Sequence, residues 1–176
     1  MNGGHLKGAL KFIVSNDLNF HLVGSGDFDG DGYGDILWRN TSDGRNQIWL
    51  LSVDHLKSVY AITPRSDQNW VINGIGDFNG DGLCDVAWHN NSDYRNNIWL
   101  MNGSALLSAT AIASNSSSSW EFGEAGDFDG DGKTDLLWHN SSTGHNALWL
   151  MNGGHLKAAH GLTVVSDTNW MIPEAK

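Results

Sequence analysis

Apolar residues come along this chain in short runs, each cut off by a cluster of Gly, Asn, Asp or Ser. Between residues 70 and 119 the runs are Val71 to Phe78, Asp85-Val86-Ala87-Trp88-His89, Asn97-Ile98-Trp99-Leu100-Met101 and Leu106 to Ala113. They close on an Asp- and Gly-rich loop, on Asn90-Asn91-Ser92-Asp93, on Asn102-Gly103 and on Ser114-Asn115-Ser116-Ser117. Runs of about five to eight β-branched and aromatic residues between turn clusters predict strands. Helical spacing of apolar residues is nowhere sustained long enough to predict a helix. Apolar residues also fill consecutive positions instead of alternating, as in strands covered on both faces.

The pattern repeats with a period of 50 residues. Gly26-Asp27-Phe28-Asp29-Gly30-Asp31-Gly32 returns as Gly76-Asp77-Phe78-Asn79-Gly80-Asp81-Gly82 and again as Gly126-Asp127-Phe128-Asp129-Gly130-Asp131-Gly132. Trp38, Trp88 and Trp138 keep the register, as do Trp49, Trp99 and Trp149, and the series Phe20, Trp70, Trp120, Trp170. Four strands per 50-residue repeat is the unit of a propeller blade. The predicted fold is therefore all-β: β-propeller blades of four antiparallel strands, in about three and a half repeats. One repeat domain spans 1–176, with repeats near 20–69, 70–119 and 120–169 and partial repeats at 1–19 and 170–176. Known propellers have about four to eight blades. A ring is completed by another chain, by further repeats of a longer array, or by the two end fragments joining as a fourth blade. Bare faces on the first and last blades, and strand fragments at Leu10 to Val14 and Trp170 to Ile172, favour a homodimer.

Composition narrows the class. A net charge of −10 is wrong for a nucleic-acid binder, which needs a basic face. Of the 20 acidic residues, 11 lie in the three repeated loops. The single Cys84 excludes an intrachain disulfide. No apolar run approaches a membrane span. No signal peptide is read at the start, because Met1-Asn2-Gly3-Gly4 copies Met151-Asn152-Gly153-Gly154.

The loops carry the chemistry. Asp27, Asp29, Asp31 and Asp35 stand at positions 1, 3, 5 and 9 of the first, and Asp127, Asp129, Asp131 and Asp135 at those of the third. The second offers Asp77, Asn79, Asp81 and Asp85. Tyr33, Leu83 and Lys133 vary freely at position 7, as suits a backbone carbonyl ligand. Hard oxygens on a flexible loop, without His or Cys, select Ca²⁺ over Mg²⁺. An EF-hand would need Glu at position 12, where Trp38, Trp88 and Trp138 stand, so the loops join strands 1 and 2 of a hairpin. Asp-Gly turns without metal are the alternative, disfavoured by carboxylate repulsion. By carboxylate count alone, the second loop is the weakest of three Ca²⁺ sites.

Gly-Asp-Phe-Asp/Asn-Gly-Asp-Gly-x-x-Asp before an apolar strand resembles the FG-GAP repeats of integrin-α-type propellers. Blocks such as Asp135-Leu136-Leu137-Trp138-His139-Asn140 and Leu148-Trp149-Leu150-Met151-Asn152-Gly153 are similar to the bacterial VCBS or FG-GAP-like repeats. The resemblance covers essentially the whole chain. It implies Ca²⁺ in each strand 1–2 hairpin, and an adhesive or carbohydrate-binding module, extracellular or at the cell surface. Glycans or cell-surface glycoproteins are then the expected partners.

The opposite end of each blade offers amides, hydroxyls and aromatic faces suited to sugars. Its candidate ligand residues are Arg39, Asn40, Asn69, Trp70, His89, Asn90, Trp120, His139, Asn140 and Trp170. The competing reading is inter-blade core for the tryptophans and turn chemistry for the asparagines. His5, His55 and His155 share one repeat position and would sit on separate blades. No nucleophile triad, phosphate loop or zinc signature is present, and paired carboxylates occur only in the loops. A binding module is expected, or a structural or protein-adhesion scaffold with no small ligand, rather than an enzyme.

Overall fold

The computed structural model describes residues 17–165. The partial repeats' strand fragments Leu10 to Val14 and Trp170 to Ile172, and the candidate Trp170, lie outside the described residues. Twelve strands are present among those described, with no helix. The first sheet holds β1 (Phe20–Gly26), β2 (Asp35–Asn40), β3 (Asn46–Leu51) and β4 (Leu56–Ile62). The second holds β5 (Trp70–Gly76), β6 (Asp85–Asn90), β7 (Asn96–Asn102) and β8 (Ala105–Ile112). The third holds β9 (Trp120–Gly126), β10 (Asp135–Asn140), β11 (Asn146–Asn152) and β12 (His155–Leu162). Each is an antiparallel meander in chain order, and among the described residues the three blades do not close into a ring. The 50-residue period recurs even in the irregularities: the β1–β2 register shifts between Leu22 and Gly24, and the β5–β6 register between Ile72 and Gly74.

Burial follows position in the blade. All six residues of β6 are buried, because neighbouring blades cover both faces of the sheet. The outer strand differs: β8 alternates exposed and half-buried residues along its length, since one face and one edge meet water. Consecutive apolar runs thus mark the middle of a blade, and alternation its rim.

The core lies between blades. Phe28 turns from the first hairpin loop onto the second blade, beside Val86, Trp88, Trp99 and Met101. Phe78 does the same to the third, beside Leu136, Trp138, Trp149 and Met151. Both phenylalanines are fully buried, whereas Phe128, their counterpart, is 45% exposed. Within blades the tryptophans pair with centroids 5.0, 4.8 and 5.3 Å apart (Trp38–Trp49, Trp88–Trp99, Trp138–Trp149). Backbone bonds stitch the blades too: the Cys84 amide donates to the Asp27 carbonyl at 2.8 Å, and the Thr134 amide to the Asp77 carbonyl at 2.7 Å. Cys84 is half-buried against Gly26, and burial pushes its thiol up to about 11, so it packs as a small neutral group.

Candidate functional site

Each loop is built around its first aspartate. Asp27 accepts the Gly30 amide at 2.7 Å on one oxygen and the Gly32 amide at 2.8 Å on the other. Asp77 accepts Gly80 and Gly82, and Asp127 accepts Gly130 and Gly132, in the same way. Gly30 and Gly32 sit at φ +75° and +84°, a region that costs other residues about 1–2 kcal/mol, so the sharp reversal needs glycine. Position 5 holds position 7: Asp31, Asp81 and Asp131 accept the amides of Tyr33, Leu83 and Lys133 at 2.9, 2.9 and 3.0 Å.

The last aspartate ties the loop to the sheet. Asp35 is buried and accepts the Phe28 amide at 2.9 Å and the Leu51 amide at 2.8 Å. Asp85 accepts Phe78 and Met101, and Asp135 accepts Phe128 and Met151. One carboxylate thereby joins the hairpin loop to strand 3 of its blade, a link 16 residues long in sequence. Burial raises Asp35 above the usual carboxylate range and pushes Asp85 up to about 6, against the pull of the two amides. Asp85→Ala leaves two N–H groups unpaired in a dry site, at about 1–3 kcal/mol each. Urea denaturation in EDTA is expected to show a loss of about 2–6 kcal/mol. The exposed Asn91→Ala should stay within about 0.5 kcal/mol.

Asp27, Asp29 and Asp35 each present an oxygen within 4.8 Å of the others, and Asp127, Asp129 and Asp135 repeat the arrangement. Ligands at about 2.3–2.6 Å from one Ca²⁺ lie no farther apart than about 5 Å, so both triplets fit a single ion. The donor set is oxygen only. Asp29 Oδ1 is buried without a hydrogen-bond partner. A lone carboxylate oxygen withdrawn from water beside two other carboxylates fits a cation. In the second loop Asn79 turns its Nδ2 to Asp81 Oδ2 at 2.9 Å. No three-carboxylate cluster forms there among the described residues.

A profile of the FG-GAP-like repeat matches residues 27–88 and 77–138. The chain belongs to the FG-GAP-like repeat family. No curated protein matches it. Each matched FG-GAP-like span runs from the first aspartate of one loop to the strand-2 tryptophan of the next blade, Asp27 to Trp88 and Asp77 to Trp138. Each span therefore includes one inter-blade contact, that of Phe28 or of Phe78.

Sequence reasoning did not find Lys57 and Lys157. Lys57 Nζ donates to Asp29 at 2.5 Å and Asp31 at 2.7 Å; Lys157 Nζ donates to Asp129 and Asp131 at 2.8 Å each. The available signal was a broken series at the 50-residue period: Lys7, Lys57, Leu107, Lys157, with leucine where Asn79 replaces aspartate.

At the other end of the blades, strand 2–3 and strand 4–1 loops meet: Thr41 and Asn91 donate their amides to the Asn19 and Asn69 carbonyls. Most polar candidates there are engaged internally. Asn40, Asn90 and Asn140 are buried, and each Oδ1 accepts the amides of the second and third residues that follow it. Arg39, His89 and His139 are buried and hold Asn46, Asn96 and Asn146. Those asparagines grip the carbonyls of Thr63, Ala113 and Thr163. Trp70 is buried with the Arg65 guanidinium 3.4 Å above its ring, and Asn69 turns onto Asp67.

Trp120 is placed differently. It is half-buried and lines a cleft of about 660 Å³ between the second and third blades, with His89, Asn91, Tyr94, Glu121 and Phe122. Tyr94 stands at φ 60°, where the other blades have Gly44 and Gly144. A tyrosine in that region is disfavoured, and here it puts an aromatic ring where its counterparts put none.

Proposed function

We propose that the protein is a calcium-stabilised β-propeller module of the extracellular space or cell surface, that it binds glycans, and that it performs no catalysis. The calcium reading rests on Asp29, whose Oδ1 is buried and unpartnered and whose carboxylate clusters with those of Asp27 and Asp35. Asp27, Asp29, Asp31 and Asp35 would hold the ion with the Tyr33 carbonyl; Asp127, Asp129, Asp131 and Asp135 would do so with that of Lys133, and Asp77, Asn79, Asp81 and Asp85 with that of Leu83. The ion supplies positive charge that offsets carboxylate repulsion. No helix among the described residues is long and apolar enough to cross a membrane.

The glycan reading rests on the inter-blade cleft. Flat rings at Trp120 and Tyr94 suit the apolar face of a sugar, and Asn91, Glu121 and His89 suit its hydroxyls. Binding is expected on a glycan array at saturating Ca²⁺, and Trp120→Ala should weaken it about tenfold or more, as loss of a buried aromatic anchor does. Arrays that stay blank would leave the scaffold reading, which gains from the internal engagement of Asn40, Asn90 and Asn140. The open blade faces support a homodimer, whose test is set out in the Discussion.

A further inference from the structure

We infer that Lys57 and Lys157 are built-in counter-cations of the first and third loops: they hold the position-3 and position-5 carboxylates together without metal and weaken those loops' affinity for Ca²⁺. The inference rests on the calcium reading above. Both lysines reach in from the outermost strand, across 26–28 residues of sequence, and touch only the Oδ2 atoms of their two aspartates. On the first loop this leaves Asp29 Oδ1 buried and without a hydrogen-bond partner, on a carboxylate that clusters with those of Asp27 and Asp35. The ammonium thus leaves Asp29 Oδ1 open to a cation. Its contact with Asp31 and Asp131 holds both carboxyls below the usual carboxylate range.

The second blade supplies the internal control. At the lysine position it has Leu107, 59% exposed, and the Asn79 amide takes over the donation to Asp81 Oδ2. Every position-5 Oδ2 therefore receives an N–H donor, charged where position 3 is aspartate and neutral where it is asparagine. Charge bookkeeping changes accordingly. The first loop has four carboxylates and one lysine, net −3; the second has three carboxylates and no lysine, net −3. The third has four carboxylates with Lys157 and, 3.6 Å from Asp131, Lys133, net −2. Carboxylates alone rank the second loop weakest; with the lysines counted, the third loop is.

Calorimetric Ca²⁺ titration of Lys57→Met, Lys157→Met and Leu107→Lys, each in the full chain, tests this beside thermal melts in EDTA. Lys57→Met and Lys157→Met should each lower the Kd of one site about three- to tenfold, as removal of a unit charge several ångströms from an ion does in water-like, salt-screened surroundings, and should melt earlier than wild type in EDTA. Leu107→Lys, at an exposed position, should do the opposite at one site. The differences should shrink at about 1 M salt, where screening is short-ranged. If the lysine variants bind Ca²⁺ no more tightly than wild type, or Leu107→Lys changes neither affinity nor the EDTA melt, the inference is wrong. Wild-type protein that takes up no Ca²⁺ would overturn the calcium reading instead, while the EDTA melts would still report on the lysines.

Discussion

Removing Ca²⁺ is expected to lower the melting temperature by about 5–10 °C for each occupied loop. At a hundredfold excess over Kd, binding to the folded state alone contributes about 2.7 kcal/mol per site. For a chain of this size, 1 kcal/mol moves the midpoint by about 2–4 °C. Three loops acting together would exceed about 15 °C, because the loop aspartates are also the groups that join hairpin to sheet. Asp35, Asp85 and Asp135 link loop amides to strand-3 amides, so a cation that held them in place would tighten the centre of each blade. Scanning calorimetry with Ca²⁺ and with EDTA reads the effect directly. Superimposable melts would make the loops metal-independent turns.

The same shift should depend on pH, with a sign set by Asp85. Its metal-free folded pKa of about 6 exceeds the ordinary 3.8 because burial disfavours the charge. A raised folded value means that protonation favours the metal-free fold. That contribution is complete below the ordinary value and lost as pH rises through about 6. Calcium acts the other way, since it needs the carboxylate. The Ca²⁺-induced rise in melting temperature should therefore be large at pH 7.5 and shrink steadily toward pH 5. A constant increment over that range would exclude Asp85 as a ligand.

In solution the protein is expected to run at about twice the 19.2 kDa of one chain. Phe28 and Phe78 are fully buried by the following blade, while Phe128 is 45% exposed with no such blade among the described residues. At the opposite end Ile36 and Trp38 are only half-buried where Val86 and Trp88 are buried. Those two faces are the halves of the contact that already joins the blades. The backbone series points the same way. Asp27 and Asp77 carbonyls receive the amides of Cys84 and Thr134, whereas Asp127 and Gly34, next in that series, have no such partner among the described residues. Head-to-tail contact closed by cyclic symmetry would cover both faces. Phe128→Asp should raise the dissociation constant more than a hundredfold, since truncating a buried phenylalanine costs about 3–5 kcal/mol. Light scattering at micromolar concentration reads both results; a clean single-chain mass for wild type would set the dimer aside.

Sequence alone determined what is local or periodic. Short runs between turn clusters located the four strands of the second blade to within a residue or two, because strand and turn preferences act over a few residues, and the 50-residue period carried them to the other two blades. The acidic clusters of the first and third loops were legible for the same reason: Asp27 to Asp35 lie within nine residues, and their glycines mark the reversal. Even there the strand read as ending at Phe78 ends at Gly76, since the Phe78 amide leaves the ladder for Asp85 and its ring turns to the next blade. Tertiary structure decided whatever depends on groups far apart in the chain. Lys57 meets Asp31 only because strand 4 folds back beside the loop, 26 residues away. Whether an asparagine faces a ligand or caps a turn depends on burial, which left Asn40, Asn90 and Asn140 inside and put Trp120 on a cleft. Phe28, Phe78 and Phe128 occupy identical positions in the repeat, yet two are core and one is surface. A repeat writes the same residue into every blade, but burial requires a neighbouring blade, and that is a property of the assembled molecule.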